Sequence, residues 1–524
     1  MLDNISCSQR YHKLTSDREI YLDRARECSE LTIPSLVPPE GFSSATDLYQ
    51  PFQSVGARGV NNLASKLLLL LFPPNSPFFR LSMDTKTKME LDADGQLRAQ
   101  IEQGLAGVER EVMSEIENTA MRVHVFEALK HLIISGNVLL HMPKKGGIRV
   151  FPLSSYVCKR DPNGELLEII VEETISPRVL PENIEGIDYT SEKDIKIYTK
   201  VSRINEEEYY IYQEVDGKLV PESEGTYKKG LMPWRALRMV HLDGEHYGRS
   251  YVEEYLGDLK SLEGLMEAIV SAAAASSKLV FLVRPNASVK RRDLTQAKNG
   301  AVIIGQPDDV KVLQTEKDRD MRVVLETTTR IEERLAYAFL LNTAIQRQAE
   351  RVTAEEIRFM AQELESALGG VYSILSQEMQ LPIVNILMDR MSASKKIPKL
   401  PKGTVTPVIV TGVEALGRGN DLNKLRTFVQ DLVQLAQANP QTIQMLNFND
   451  LVARLATGHG IDTIGLVKTP EQLQMEMQQQ QEAMQQQQMM DTMQDSAPGV
   501  AREMAKGAPE RVQQQLEQQP TEES

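Results

Sequence analysis

The stretch from Met321 to Met379 constrains this chain more than any other, because it reads as two helices joined by a long cationic loop. In the first half, Val324, Ile331, Leu335 and Phe339 recur at helical spacing, while Glu326, Arg330, Glu333 and Arg334 fall off that stripe. The second half opens on Thr353-Ala354-Glu355-Glu356, a capping box in which the Thr hydroxyl takes an orphan amide and Glu356 reaches back. Ile357, Met360, Leu364, Leu368, Val371, Leu375 and Met379 then trace one apolar face. Between them, Asn342–Val352 is longer than an antiparallel turn needs and carries Arg347 and Arg351; long loops in compact domains are often functional. Taken alone, those two arginines also have an ordinary reading, pairing with Glu350, Glu355 or Glu356 as surface charges do.

At 524 residues the chain has room for two to four domains. Its formal charge of −14 argues against a protein that grips nucleic acid along a basic face. Cys7, Cys28 and Cys158 are widely spaced and form no CxxC pair, which argues for a reducing compartment and against a disulfide framework or zinc site. The first residues, MLDNISCSQRYHK, lack the apolar core of a signal peptide. The apolar run Leu67–Phe72 is far short of the roughly 20 residues that span a bilayer, so it reads as a buried helix.

Along the chain, residues 16–31 read as a charged amphipathic helix opened by Ser16 or Asp17. SVGARGVNNLASKLLLLLFPP reads as a helix stopped by Pro73-Pro74, followed by an extended piece, Phe78–Met83. Residues 94–135 keep a helical period, with Leu97, Ile101, Leu105, Val108, Val112 and Ile116 on one face, until Gly136-Asn137. The period then drops to two: Val138–Met142, Ile148–Phe151, Val157–Arg160, Leu166–Thr174 and Glu207–Val215 predict strands, the last turning at Asp216-Gly217 into Lys218–Val220. Residues 250–278 predict one unbroken helix, about 43 Å long at 1.5 Å per residue, ending in a run of small residues that includes Ala272, Ala273, Ala274 and Ala275. Leu279–Val283 and Ala301–Ile304 look strand-like, with Lys290-Arg291-Arg292 between them and Asp308-Asp309 after them. SASKKIPKLPKGTVTP is a Pro/Lys-rich connector, and Asp421–Gln437 and Ile443–Ala456 a smaller helical unit. Of residues 471–490, ten are Gln and five Met, a composition that cannot bury enough apolar surface to fold alone; the tail is expected to be flexible. The class is α+β, mainly helical with a small β-rich region.

No enzyme site emerges. Gly412–Gly419 has the glycine spacing of a phosphate loop but carries Arg418 and Gly419 where Lys and Ser or Thr are required. There is no GxSxG elbow and no HExxH. His241, Asp243, Glu245 and His246 form the best metal-like group, in a spacing that fits no recognised pattern; a metal-dependent enzyme using Asp243–His246 is the alternative reading. His124 and His131, two turns apart on an apolar helix, read as satisfied core or interface residues.

The order of parts resembles the portal, or head-to-tail connector, family of short-tailed, podovirus-type bacteriophages. The resemblance is carried by SVGARGVNNLASKLLLLLFPP, DGEHYGRSYVEEYLGDLKSLEGLMEAIV, ERLAYAFLLNTAIQRQAERVTAEEIRFMAQELE, LGGVYSILSQEMQLPIV and PVIVTGVEALGRGNDLNKL, and covers nearly everything before about residue 470. It implies a ring, a dodecamer, at one capsid vertex, through which double-stranded DNA enters and leaves. It implies a wing at 1–250, stem helices at 251–278 and 321–341, a small α/β clip at 279–320 and a tunnel loop at 342–352. A wing helix at 353–390, a connector at 391–414, a crown at 415–465 and a tail at 466–524 complete the chain.

On that resemblance, Asn342, Gln346, Arg347, Gln348, Glu350 and Arg351 face the DNA channel. Lys290, Arg291, Arg292, Asp308 and Asp309 lie in the clip that meets the terminase large subunit and later the tail adaptor protein. Ala272–Ala275 pack neighbouring stems, and Pro382 and Gly369-Gly370 mark bends in the long helix. Major capsid, scaffolding and internal core proteins are the other implied partners, with no membrane, cofactor or metal; the location is the virion, and the host cytoplasm during assembly. The charge agrees: each phosphate held by a fixed cation adds affinity, so an acidic wall with a single ring of arginines suits a conduit.

Overall fold

Among the described residues, polar and apolar positions sort into helices packed on three antiparallel sheets, with a two-stranded ribbon in an insertion. The structure is a computed structural model that describes residues 5–43, 45–74, 77–84, 86–87, 95–144, 146–181, 184, 186–276, 281–304, 306–312, 318–341, 364, 368–400, 404–409, 425, 427–434, 451–452 and 455. It divides into two units, residues 1–420 and 421–524.

The first unit opens with α1 (Cys7–Glu30), which begins well before the expected Ser16. Ser6 is the cap: its hydroxyl accepts from the Gln9 amide at 3.3 Å. Ser16, like Thr15 before it, turns its hydroxyl back onto a carbonyl of the preceding turn, Lys13 O at 3.3 Å and Tyr11 O at 2.9 Å, so the expected start at Ser16 or Asp17 sits inside the helix. Next come α2 (Val55–Leu71) and β1 (Phe79–Met83), as expected. The predicted single helix over 94–135 is two, α3 (Gly95–Asn118) and α4 (Met121–Ser135), broken where Ala120 adopts φ 49°. Leu105, Val108, Val112 and Ile116 are buried, as their period requires.

Gly136 ends α4 at φ 72°, where a Cβ would lie 2.4 Å from the Arg249 carbonyl carbon. Then follow β2 (Asn137–His141), β3 (Arg149–Phe151), β4 (Tyr156–Arg160), β5 (Leu166–Ile175), β6 (Ile195–Arg203), β7 (Glu208–Val215), β8 (Lys218–Leu219), β9 (Gly225–Lys228) and β10 (Trp234–Arg238). One sheet has the order β10-β2-β3; a larger one runs β4-β5-β6-β7-β8, with β9 also on β7. One face of the larger sheet buries Val157, Ile170, Tyr198 and Tyr212 under Cys7, Tyr11 and Leu14 of α1. Cys158, Ile169, Val171 and Val201 join the main core on the other face, the alternation that a two-sided sheet demands.

The expected unbroken helix over 250–278 is interrupted: α5 (Tyr251–Glu254) stops at Tyr255, and α6 (Leu256–Ser276), 21 residues, is about 31 Å long. The insertion holds β11 (Phe281–Val283), α7 (Arg291–Gln296) and β12 (Val310–Val312), with β11 paired to β12. Ala301–Ile304, expected as a strand, forms none and pairs with no strand among the described residues. Next is α8 (Asp318–Ala338), packed along α6. Past Leu368 the chain forms α9 (Val371–Leu375), a π-helical turn (Ser376–Gln380) and α10 (Leu381–Ala393). Gly369 at φ 57° and the π turn ahead of Pro382 interrupt the α ladder at the two places expected to bend. The Pro/Lys-rich connector contains β13 (Val405–Ile409), which pairs antiparallel with β1 and so ties that segment to the body. In the second unit, residues 427–434 are helical, within the span expected of Asp421–Gln437.

Candidate functional site

The pair α6 and α8 buries one side and leaves the other exposed. Leu259 and Leu262 of α6 meet Ile331 and Leu335 of α8, and Arg334 reaches Asp258 across the pair at 2.8 Å. On the remaining faces Val270, Val323 and Leu325 are exposed, and Tyr337 is 78% exposed. Ala273, Ala274 and Ala275 are exposed as well, and Ala272 is half-buried, so the small-residue run is uncovered within one chain.

Where α8 ends, its carbonyls are collected by two other helices. The Tyr251 hydroxyl donates to Ala338 O at 2.8 Å. Asn62 Nδ2 donates to Phe339 O and Leu340 O at 3.0 and 2.9 Å, and Lys66 Nζ to Leu340 O at 2.9 Å. A helix leaves its last carbonyls without partners and its C-terminus electronegative, so a buried ammonium there is doubly favourable. Leu340 itself holds φ 55°, a left-handed value costly for a branched side chain. Gly59 lets α2 come this close, since a Cβ there would sit 2.5 Å from the Phe339 ring. This clamp fixes the chain two residues before the cationic loop. Asn342, Gln346, Arg347, Gln348, Glu350 and Arg351 themselves lie outside the described residues. The sequence analysis singled out only the apolar run Leu67–Phe72 of α2; the signal for the clamp was Asn62 and Lys66, one turn apart on a leucine-rich helix.

In the insertion, Lys290 caps α7, Arg291 opens it, and Lys290 and Arg292 are exposed. Asp308 is exposed, but Asp309 turns inward: its carboxylate accepts from the Ser288 amide at 3.1 Å, the Ser288 hydroxyl at 2.8 Å and the Gln306 amide at 3.4 Å. Those Ser288 bonds hold its carboxyl below the usual range. Asp309 therefore staples the insertion internally, and only Asp308 of the pair faces outward.

The region of Asp243–His246 is tied up in structural bonds. His246 Nδ1 accepts from the Arg160 amide at 3.3 Å, and the Tyr247 hydroxyl accepts from the Cys158 amide at 2.9 Å, which satisfies the open edge of β4. Glu245 is bound by Arg249 at 2.9 and 2.5 Å, and Asp243 is exposed. His241 lies 3.7 Å from Glu378 of the π turn; burial, with Arg238 and Arg160 nearby, lowers its pKa to about 4. Burial raises the Glu378 pKa even though Arg160, Arg238 and Arg235 oppose it. Arg160 spends its guanidinium on the carbonyls of His246, Gly164 and Ala236 at 3.1, 3.0 and 2.7 Å. Among the described residues no group of three His, Cys, Asp or Glu is arranged to hold a metal ion, so the metal-enzyme alternative loses its site. His131 is buried, as read, but its Nδ1 has no hydrogen-bond partner, so it is not the satisfied core histidine expected. Cys7, Cys28 and Cys158 are all buried and free. Gly412–Gly419 lies outside the described residues.

Two paired helices with exposed outer faces, a strand-bearing insertion between them and a clamped turn after the second are the features that the chain's relatives bear on. The chain belongs to the bacteriophage head to tail connecting protein family, whose model matches residues 4–467. It is 45% identical to the portal protein of Escherichia phage T7 over 90% of this chain and 89% of that one. Identity is 44% to the portal protein of Enterobacteria phage T3, over 90% and 89% of the two chains, and 32% to that of Enterobacteria phage SP6, over 95% and 96%. Among solved structures, the neck of an empty GTA particle matches at TM-score 0.37 and 10% identity, over 72% of this chain and 86% of that chain. The family assignment rests on the sequence relatives, not on that distant likeness.

Proposed function

We propose that this chain is the ring-forming portal subunit of its virion, placed at one capsid vertex as the conduit for double-stranded DNA during packaging and ejection. The observation that carries the reading is the stem: two long helices whose outward faces keep Val270, Val323, Leu325 and Tyr337 in solvent, apolar surface that a lone soluble subunit would not leave bare. A dodecamer, as the family resemblance implies, covers that surface with neighbouring stems and lets Ala272–Ala275 approach a neighbour closely. The wing, stem, clip and crown follow the boundaries given above, with residues 342–352 as the tunnel loop and Arg347 and Arg351 its contact with the DNA backbone. A net charge of −14 per copy keeps the rest of the wall repulsive to phosphate.

The clip would dock the terminase large subunit and then the tail adaptor protein through exposed Lys290, Arg292 and Asp308, with Arg291 beside them. Scaffolding, major capsid and internal core proteins would meet the wing and crown, first in the host cytoplasm and then in the virion. No catalytic step is assigned to the chain; the motor is a separate protein. Electron microscopy of the purified protein tests the reading: rings with an axial hole support it, and monomers alone under assembly conditions overturn it.

A further inference from the structure

The chain has two Asn–Gly pairs, Asn163-Gly164 and Asn299-Gly300, and the fold treats them differently. Asparagine followed by glycine is the pair most open to spontaneous deamidation, because no Cβ shields the glycine amide nitrogen from the Asn carboxamide. Both asparagines are exposed, so access does not separate them. The backbone does. In the β4–β5 hairpin Gly164 closes the turn, its amide donating to Asp161 O at 2.9 Å. The Asp161 amide donates to Glu165 O at 2.9 Å and the Glu165 amide to Asp161 Oδ1 at 2.8 Å, while buried Arg160 holds Gly164 O at 3.0 Å. The nitrogen that would have to attack is spent in a hydrogen bond, inside a turn that other bonds fix.

In the insertion the glycine stands one place earlier. Residues 298–301 form a turn closed by the Ala301 amide on Lys298 O at 3.0 Å, with Gly300 at its third position, φ 87°. Among the described residues no hydrogen bond engages the Gly300 amide, and a Cβ on Gly300 would meet nothing within 4 Å. Lys298, Asn299, Gly300 and Ala301 are all exposed. Swinging the Gly300 nitrogen onto Asn299 Cγ therefore costs one exposed backbone bond, and such bonds open at low free energy.

We propose that Asn299 is a site of spontaneous deamidation in the folded protein, and that the fold protects Asn163. The Gly300 amide gives its proton to solvent base and its nitrogen bonds to Asn299 Cγ. The bond from Cγ to the side-chain nitrogen breaks, releasing ammonia and leaving a succinimide. Water then adds to either carbonyl of that ring and opens it, giving aspartate or isoaspartate at position 299. One water is consumed and one ammonia released, with nothing oxidised or reduced. The product puts a new carboxylate on the insertion, and the isoaspartyl form adds a methylene to its backbone. On the ring reading the copies convert one at a time, so an ageing ring offers unequal charge to its partners. That consequence rests on the ring reading; the reaction at Asn299 does not.

The test is peptide mapping by mass spectrometry of the full-length protein held in warm, mildly alkaline buffer, with its oligomeric state followed by size-exclusion chromatography. The Asn299 peptide is expected to gain the mass of amide-to-acid conversion and to split into aspartyl and isoaspartyl forms. The Asn163 peptide is expected to convert at least about tenfold more slowly, since every further bond to be opened lowers the reactive population. In urea-unfolded protein the two should convert within about twofold of each other, because glycine follows both and the turns are gone. Asp161→Ala, which removes the side-chain acceptor of the Glu165 amide, should speed conversion at Asn163 and leave Asn299 unchanged. Folded protein in which Asn299 stays intact while it converts in urea would overturn the assignment, and so would Asn163 keeping pace with it. Monomers alone in the chromatography would count against the ring reading and leave the assignment standing.

Discussion

Lys66 Nζ donates to the Leu340 carbonyl at 2.9 Å, binding a buried ammonium on α2 to the turn that follows α8. Removing the donor costs the carbonyl its charged hydrogen bond and leaves it that of Asn62, a loss of about 1.5–3 kcal/mol. Lys66→Met is therefore expected to lower the unfolding free energy by that amount, measured by urea denaturation, with Lys66→Arg recovering part of it. Gly59→Ala is expected to destabilise to a similar degree by driving a methyl into the Phe339 ring.

Acid should weaken this fold in a defined window. Burial lowers the pKa of both His131 and His141 from 6.5 to about 4; near His141, Arg149 and Arg390 add to the effect. Each ring is held neutral in the folded state, while the unfolded chain takes up a proton below 6.5. The stability they contribute is thus complete above about pH 6.5 and declines as pH falls toward 4. For His131, the more deeply buried, the full loss is on the order of 3 kcal/mol. Denaturation curves at pH 7.5, 5.5 and 4.5 check the slope, and His131→Leu should flatten it.

The two loop arginines are expected to act on DNA and not on assembly. Arg347→Ala with Arg351→Ala should leave rings intact and reduce DNA packaging or retention several-fold. Because each phosphate contact steepens the dependence on salt, the variant should also show a shallower salt slope in a DNA-retention assay.

Reversing the charge of Lys290, Arg291 and Arg292 together should weaken terminase or adaptor binding at least tenfold without altering ring yield. Asp308→Lys should have a smaller effect of its own. Asp309→Ala should act differently, loosening the insertion by removing the acceptor that holds Ser288 and Gln306.

Local periodicity made most of the helices and many strands legible, because burial of one face writes itself into spacing. The breaks were less legible. Nothing in the apolar spacing of residues 250–278 announces that Tyr255 leaves the helix, since its ring stacks with Tyr251 and Phe339 from a residue brought in by the fold. The pairing of Phe79–Met83 with Val405–Ile409 joins strands far apart in sequence, and short runs containing a proline give no local sign of a partner. Ile195–Arg203, Gly225–Lys228 and Trp234–Arg238 escaped for the same reason, their lysines, arginines and tyrosines blurring the alternation. At the candidate site, exposed Lys290, Arg292 and Asp308 were readable as surface charge. Asp309 was not, because an inward carboxylate and an outward one look alike in sequence. Lys66 gave no sign of its role either, because its carbonyl partner on Leu340 lies far away in sequence.

Whether copies of this chain close around a passage is read from two-dimensional class averages of the purified oligomer. End-on views with twelve-fold symmetry and a central hole, and side views with a narrow stem, are expected. Side views lacking a stem, or particles without an enclosed passage, would contradict the ring reading.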